Sequence, residues 1–371
     1  MIQKVLDRFV ETGMAAGTSV LVYKDGKEVF FGSAGKLDIT KPAPFGRGAI
    51  MRMFSMTKVV TAASIMTLVD KGLLSVNDPV SKYIPEFADM KVAQADGTLV
   101  PADKPLTIKH LLTMTSGIPY PGGSDVVSQA YAREASQYDW DNATTLDMAR
   151  AIARCPLCFH PGEQWRYGLS ADVLGAVITV VTGMELSEYM QKTFFEPLGM
   201  VDTAFSVPQE KKDRLAVMYN ISPEGEYAPR PAEDFGFGTK VEMGGAGLYS
   251  TLEDFAKFGE MLRLGGKGIL SEASIREMSS NQLTPKQMET CWDVNIGYGY
   301  GYLVRTVIDE ALNAPHLEPN GTFGWNGMGG TTLRIDLACG MTVVYGIQRV
   351  PANHDDFIPP VLQAVSKTFR K

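Results

Sequence analysis

Histidine and cysteine are both scarce in this chain of 371 residues, with four of each. A histidine triad or a His-rich metal site must be built from His110, His160, His316 and His354, or it does not exist. The cysteines supply one C-x-x-C, Cys155 and Cys158, with Cys291 and Cys339 standing alone. A zinc ribbon needs a second close pair. A thioredoxin-like pair needs the end of a strand in a βαβ unit, whereas this one lies between a helical pattern and a turn. Free thiols in a reducing compartment are the expectation. Long apolar runs are also missing. Nothing approaches the ~20 residues of a membrane span, and the first residues lack the apolar core of a signal peptide. A cytoplasmic protein is expected, so the Asn-x-Ser/Thr triplets at Asn142, Asn220 and Asn320 carry no glycosylation message. Basic charge is in deficit: 35 Lys and Arg against 42 Asp and Glu give a net charge of −7. That excludes a general nucleic-acid binder, which needs a basic face. Gly-x-Ser-x-Gly is absent, which removes an α/β-hydrolase nucleophile elbow. Gly265-Gly-Lys-Gly268 lacks the Lys-Ser/Thr ending of a phosphate-binding loop. Gly297-Tyr-Gly-Tyr-Gly-Tyr302 is not a dinucleotide fingerprint, and its period of two predicts a strand with tyrosines on one face.

What is present is enough apolar material, 45% of residues, for a large core without a disulfide or metal. Apolar residues at Ile2, Val5, Leu6, Phe9 and Val10 predict an amphipathic helix. Two β-rich runs flank Asp25-Gly26, a hairpin signal. Near the other end, residues 331–336 and 341–348 read as strands, and residues 356–369 as a closing helix. Between residues 58 and 200 the patterns are mostly helical: 58–70, closed by Gly72; 107–114, with Thr107 as N-cap; then 147–153, 170–181 and 186–194. Residues 205–240 read as a long irregular excursion.

Three segments carry chemistry. In Met51-Arg-Met-Phe-Ser55-Met-Thr-Lys58, the serine and lysine are three apart at the opening of an apolar helix. At that spacing both side chains share a face. A serine hydroxyl attacks only if something takes its proton, and a lysine can do so when its surroundings lower its pKa. A capping serine with a solvated lysine would look the same. The second segment, Pro161-Gly162-Glu-Gln-Trp165-Arg-Tyr167, delivers Tyr167 just ahead of the 170–181 helix, where it could relay a proton beside a cation. Otherwise it is a core or rim tyrosine. In the third, Trp325-Asn326-Gly327-Met328-Gly329-Gly330, glycines before a strand admit a ligand to the backbone. An N–H there could pair with that of Ser55 as an oxyanion hole. The plain alternative is a tight turn into an edge strand. Of the histidines, His110 reads as structural, while His160 is a lesser candidate to line the cleft. Tyr120, Trp165 and Tyr249 could line an acyl pocket or lie in the core.

Together with residues 78–86, 107–117, 196–200 and 244–255, these segments resemble the serine hydrolases of the class C β-lactamase fold. That family holds class C β-lactamases, DD-peptidases and family VIII carboxylesterases. The resemblance covers nearly the whole chain. It implies an α/β (α+β) architecture: an antiparallel sheet flanked by helices, with an inserted helical domain. The expected division is 1–60 with 240–371 as the sheet domain and 61–239 as the insertion, the active site lying between them. It further implies Ser55 as the acylated nucleophile, Lys58 and Tyr167 as its base pair, and an oxyanion hole from the N–H groups of Ser55 and Met328. Trp325, Asn326, Gly327, Leu169 and Tyr120 are the implied substrate contacts. The chain departs from the β-lactamase and peptidase pattern twice. Leu169 stands where Tyr-x-Asn has its asparagine, and Trp325 stands where a Lys or His usually begins the third motif. Both departures resemble the esterases. The expected activity is cleavage of carboxylic esters through an acyl-Ser55 intermediate, with no cofactor and no metal. A β-lactamase, D-amino-acid peptidase or amidase, or acyltransferase is the alternative on the same fold. A non-catalytic binding protein on this scaffold is the remote one. The partner is a small ester or amide, not nucleic acid or membrane, and the oligomeric state is open.

Overall fold

The computed structural model describes residues 1–231 and 240–370. Its centre is a seven-stranded sheet in which every neighbouring pair is antiparallel. The strands run in the order Lys27–Gly35, Gly17–Lys24, Met341–Ile347, Thr332–Asp336, Phe323–Asn326, Arg305–Val307 and Tyr298–Tyr300. Both ends of the chain therefore meet inside one sheet, with Thr18 opposite Ile347 and Lys24 opposite Met341. The first hairpin turns on Asp25 and Gly26, at φ 51° and 80°. Two consecutive left-handed residues match the twist of the flanking strands, which is why Asp-Gly suits this turn.

Strand side chains alternate between faces. Val20 and Val22 join a core with Leu6, Phe9, Val343 and Val361, whereas Leu21 joins the larger core on the other face. The Ile2–Glu11 and His354–Phe369 helices cover the first face, with Phe9 edge-on to Phe357 at 4.8 Å. The Leu252–Arg263 helix covers the second. Beyond it lies a helical cluster around Thr57–Asp70, in which every residue from Thr57 to Leu68 is buried. A helix apolar on all sides is stable only when packed on all sides, and this one touches Ser170–Thr182, Leu186–Met190 and Glu272–Ser279.

Several expectations are changed. The helix predicted from Thr107 is shorter, Ile108–Leu112, and carries a reciprocal capping box: Thr107 accepts from the His110 N–H and His110 Nδ1 accepts from the Thr107 N–H. The mostly helical stretch also holds a small hairpin of Lys91–Ala93 and Leu99–Pro101. The excursion at 205–240 is partly ordered. Tyr219–Ile221 pairs with Tyr227–Pro229 and, in parallel, with Arg349–Val350, while residues 232–239 lie outside the described residues. The glycines at 327–330 do not turn into an edge strand, because Thr332–Asp336, the strand they enter, lies between Phe323–Asn326 and Met341–Ile347. Tyr298, Tyr300 and Tyr302 are all buried. Among the described residues, no single helix is long and apolar enough to cross a membrane.

Candidate active site

Ser55 does not sit in the first turn of the long helix. It lies in the separate 3-10 turn Phe54–Met56 that leads into Thr57–Asp70. Phe54 is left-handed, at φ 47°. A bulky residue persists there only when its surroundings hold it. The holders are visible. Met53 N–H donates to Leu248 O at 2.8 Å, Leu248 N–H donates to Thr57 Oγ1 at 3.1 Å, and Thr61 Oγ1 donates to Gly244 O at 2.6 Å.

Lys58 is fully buried one turn on. Its Nζ donates to Ser55 Oγ at 3.2 Å, Tyr120 Oη at 2.9 Å and Gly245 O at 2.8 Å. An ammonium has three N–H donors, and each here has an acceptor. The ring of Tyr167 faces the same nitrogen at 4.7 Å. Burial works against the charge on Lys58. The fields of Tyr120, Tyr167 and Asp172, with the Tyr120 hydrogen bond, outweigh it and raise the lysine above its ordinary value. Burial acts in the direction expected of a lysine base, and the neighbouring groups act against it. The Tyr120 hydroxyl is raised in turn, chiefly by burial, against the pull of Lys58. Asp172, in the Ser170–Thr182 helix, is buried and also raised by desolvation; its Oδ1 accepts the Gly245 N–H at 2.9 Å.

Tyr167 arrives on the turn ahead of that helix. Its hydroxyl accepts from the Trp325 indole N–H at 3.0 Å. Trp165, Trp292 and Trp325 have ring centroids within 6.2 Å of the Tyr167 ring, making an aromatic wall. Trp292 is 55% exposed at its rim. Behind Trp325 stands Arg305, its guanidinium 4.7 Å from the indole and 3.2 Å from the Asp293 carboxylate.

The third segment is stitched to the first. Gly327 N–H donates to Thr331 O at 2.7 Å, and Thr331 Oγ1 donates to Met53 O at 3.1 Å. A Cβ on Gly327 would lie 2.3 Å from Met53 O and 2.2 Å from Thr331 Oγ1, so only glycine fits unshifted. The Gly327 carbonyl is held by His354 Nε2 at 3.0 Å. Met328 follows, 42% exposed. Asn326 is tied back to its strand neighbour, its Oδ1 accepting from Thr332 Oγ1 at 3.2 Å.

These groups open onto one cavity of about 620 Å³, within the size range of small-molecule sites. Ser55, Tyr120, Tyr167, Trp325, Asn326 and Met328 line it, as do Phe54, Trp292, Asp293, Arg305 and His354. Leu169 does not; it lines a neighbouring apolar pocket. His160 lies in a separate depression, 3.6 Å from Asp103. His110 serves as a cap, and Tyr249 packs with Ile50, Phe54 and Met218. Reading the sequence missed Asp172, Trp292, Asp293, Arg305 and His354. Asp172 has a local signal, five residues after Tyr167 on the helix that Tyr167 precedes. The other four reach the cavity from distant segments and have none. Among the described residues, no group of three or more His, Cys, Asp or Glu side chains is placed to hold a metal ion. The four cysteines are free thiols.

The beta-lactamase family model matches residues 2–365. Protein Rv1367c of Mycobacterium tuberculosis is 30% identical over 362 residues, covering 92% of this chain and 88% of that protein. Esterase EstB of Burkholderia gladioli is 30% identical over 366 residues, with the same two coverages. Among solved structures, EstCE1, described as a hydrolase with promiscuous acyltransferase activity, superposes with a TM-score of 0.83 at 25% identity. It covers 98% of this chain and 97% of its own.

Proposed function

This chain belongs to the beta-lactamase family, and from that premise we propose that it is a serine hydrolase cleaving carboxylic esters through an acyl-Ser55 intermediate. The observation that carries the reading is the chain of contacts at the cavity floor. Lys58 Nζ is hydrogen-bonded to Ser55 Oγ and Tyr120 Oη, with Tyr167 against it and the Trp325 N–H on Tyr167 Oη. The esterase among its relatives and the hydrolase among its structural neighbours favour the same activity.

In this reading Lys58 stays an ammonium. It holds Ser55 Oγ in place, and the base in this reading is the Tyr167 phenolate, which lies beside the Lys58 charge and the Trp325 N–H. Tyr167 takes the Ser55 proton as Oγ bonds to the ester carbonyl carbon. The negative oxygen rests on the Ser55 and Met328 N–H groups, where preorganised donors are worth several kcal/mol. The C–O bond then breaks, and the alcohol leaves with the proton from Tyr167. Water, giving a proton to Tyr167, attacks the acyl carbon; the bond from that carbon to Ser55 Oγ then breaks as Tyr167 returns the proton to Oγ, which releases the acid and restores the enzyme. The site lies in the cleft between a sheet-bearing unit of 1–60 and 240–371 and a mainly helical unit of 61–239.

One observation favours a second reading. Arg305 puts a cation behind Trp325, which could serve the carboxylate of a β-lactam. Its partner Asp293 at 3.2 Å already neutralises it, so the ester reading is preferred. Hydrolysis of p-nitrophenyl acetate and of nitrocefin, measured side by side, separates the two. Ester turnover lost in Ser55→Ala supports the proposal; nitrocefin turnover equal to it supports the second reading.

A further inference from the structure

The turn from Gly327 to Gly330 is tied down at most of its polar groups. Gly327 N–H donates to Thr331 O at 2.7 Å, Gly330 N–H donates to Gly327 O at 2.9 Å, and Gly329 O accepts the Arg349 N–H at 3.1 Å. Gly327 O has a second partner in His354 Nε2 at 3.0 Å. A carbonyl oxygen only accepts, so the imidazole carries its hydrogen on Nε2. The next N–H along the chain, that of Met328, has no protein acceptor among the described residues. Met328 and His354 both line the Ser55 cavity.

Gly327 O and the Met328 N–H belong to one planar peptide unit. That unit is trans, so the two groups point in opposite directions. Holding the oxygen therefore aims the N–H. Two donors on the oxygen also polarise the unit, because linked hydrogen bonds strengthen one another. The imidazole is placed by its helix. His354 opens His354–Phe369, whose Phe357, Val361 and Val365 are buried in the core on the first face of the sheet. Asn353, just ahead, is left-handed at φ 48°, a conformation asparagine adopts more readily than most residues. Burial, with the fields of Arg305 and Arg334, holds His354 below its ordinary pKa, against the Gly327 bond and Asp355. At neutral pH the ring is therefore uncharged, with its one N–H on the Gly327 carbonyl.

We propose that His354 is a positioning residue of the oxyanion hole: its bond to Gly327 O holds the 327–328 peptide so that the Met328 N–H meets the negative oxygen of the substrate. The proposal rests on the ester reading above and adds to it a residue from outside the serine, tyrosine and glycine segments. In this role His354 touches neither the substrate nor Ser55. Losing its N–H loosens one oxyanion donor without deleting it. The cost is then a part of the roughly 100- to 1000-fold that a whole donor carries.

The test compares His354→Leu, which has no donor, with His354→Gln, whose side-chain amide supplies one at similar reach. On p-nitrophenyl acetate, His354→Leu should lose about tenfold in kcat while KM stays within about threefold. Labelling of Ser55 by an alkyl fluorophosphonate, which also builds charge on oxygen, should slow by a similar factor. His354→Gln should recover most of both losses. A second readout needs no turnover. In protein made with nitrogen-15 methionine, the Met328 amide signal is identified by its absence in Met328→Leu. It should move in His354→Leu and return toward its wild-type position in His354→Gln. Wild-type kcat in His354→Leu, an unmoved Met328 signal, or a loss of kcat that His354→Gln does not reduce would overturn the proposal. A wild type that neither turns over esters nor labels at Ser55, but whose Met328 signal still follows residue 354, would remove the ester reading while keeping the hold of His354 on this peptide.

Discussion

Trp325→Phe isolates one interaction of the proposed mechanism. The substitution keeps an aromatic ring between Arg305 and Tyr167 but deletes the indole N–H that reaches Tyr167 Oη at 3.0 Å. If that oxygen carries negative charge in the transition state, the lost bond is a charge-assisted one, worth about 1.5–3 kcal/mol. At 1.36 kcal/mol per factor of ten, kcat should fall roughly 10- to 150-fold. The packing cost is separate. Trp325 is 2% exposed, and trimming a buried side chain costs about 1–2 kcal/mol. Set against a typical stability of 5–15 kcal/mol, that leaves the protein folded at 25 °C. The assay is steady-state hydrolysis of p-nitrophenyl acetate, with thermal unfolding followed in parallel. A fall confined to kcat, with KM changing less than about threefold, is expected for an interaction that matters mainly in the transition state. Unchanged kcat in a variant with a lowered Tm would refute the role given to the indole.

Three further outcomes follow from other contacts. Lys58→Met should reduce ester turnover roughly a thousandfold or more and also lower Tm, because it removes one member of a buried hydrogen-bonded cluster and takes the Lys58 donor from the Gly245 carbonyl; circular dichroism and turnover together check it. Gly327→Ala forces its Cβ against Met53 O and Thr331 Oγ1, so the Met328 N–H must shift. kcat should drop about 100-fold, with KM nearly constant. Burial, aided by Lys104 and Lys109, depresses His110 to about 4 in the folded state, against 6.5 for the free side chain. The unfolded chain thus binds more protons between those values, and the stability present above pH 6.5 is lost as pH falls toward 4. Because His110 is only partly buried, the effect is about 1–2 kcal/mol after solvent screening. His110→Gln can keep the capping box and should flatten the denaturation midpoint over that pH range; a slope equal to wild type would contradict the assignment.

The parts of the site legible in the sequence are those fixed by local geometry. Ser55 and Lys58 are three residues apart at a helix entrance, so their proximity needs no knowledge of the rest of the chain. The Asp25-Gly26 hairpin, the Thr107 cap and the alternating tyrosines are equally local. Residues brought in by tertiary structure were silent. Arg305 and His354 come from a strand and a helix whose positions depend on the order of the sheet. His354 acts through a contact with the Gly327 carbonyl that no spacing encodes. Leu169 lines the neighbouring pocket and not the cavity that holds Ser55, a placement that depends on how the helix beginning at Ser170 packs. The electrostatics of Lys58 were also beyond the sequence. Burial alone would have lowered its pKa, and the groups that reverse the sign, Tyr120, Tyr167 and Asp172, lie 62, 109 and 114 residues along the chain from it.

The central claim is that Ser55 becomes covalently acylated. Its most direct measurement is intact-mass spectrometry after brief exposure to a p-nitrophenyl ester or an alkyl fluorophosphonate, followed by peptide mapping. One adduct per chain, on the peptide containing Ser55 and absent in Ser55→Ala, is the predicted result. An adduct on any other residue, or full esterase activity in Ser55→Ala, would contradict it.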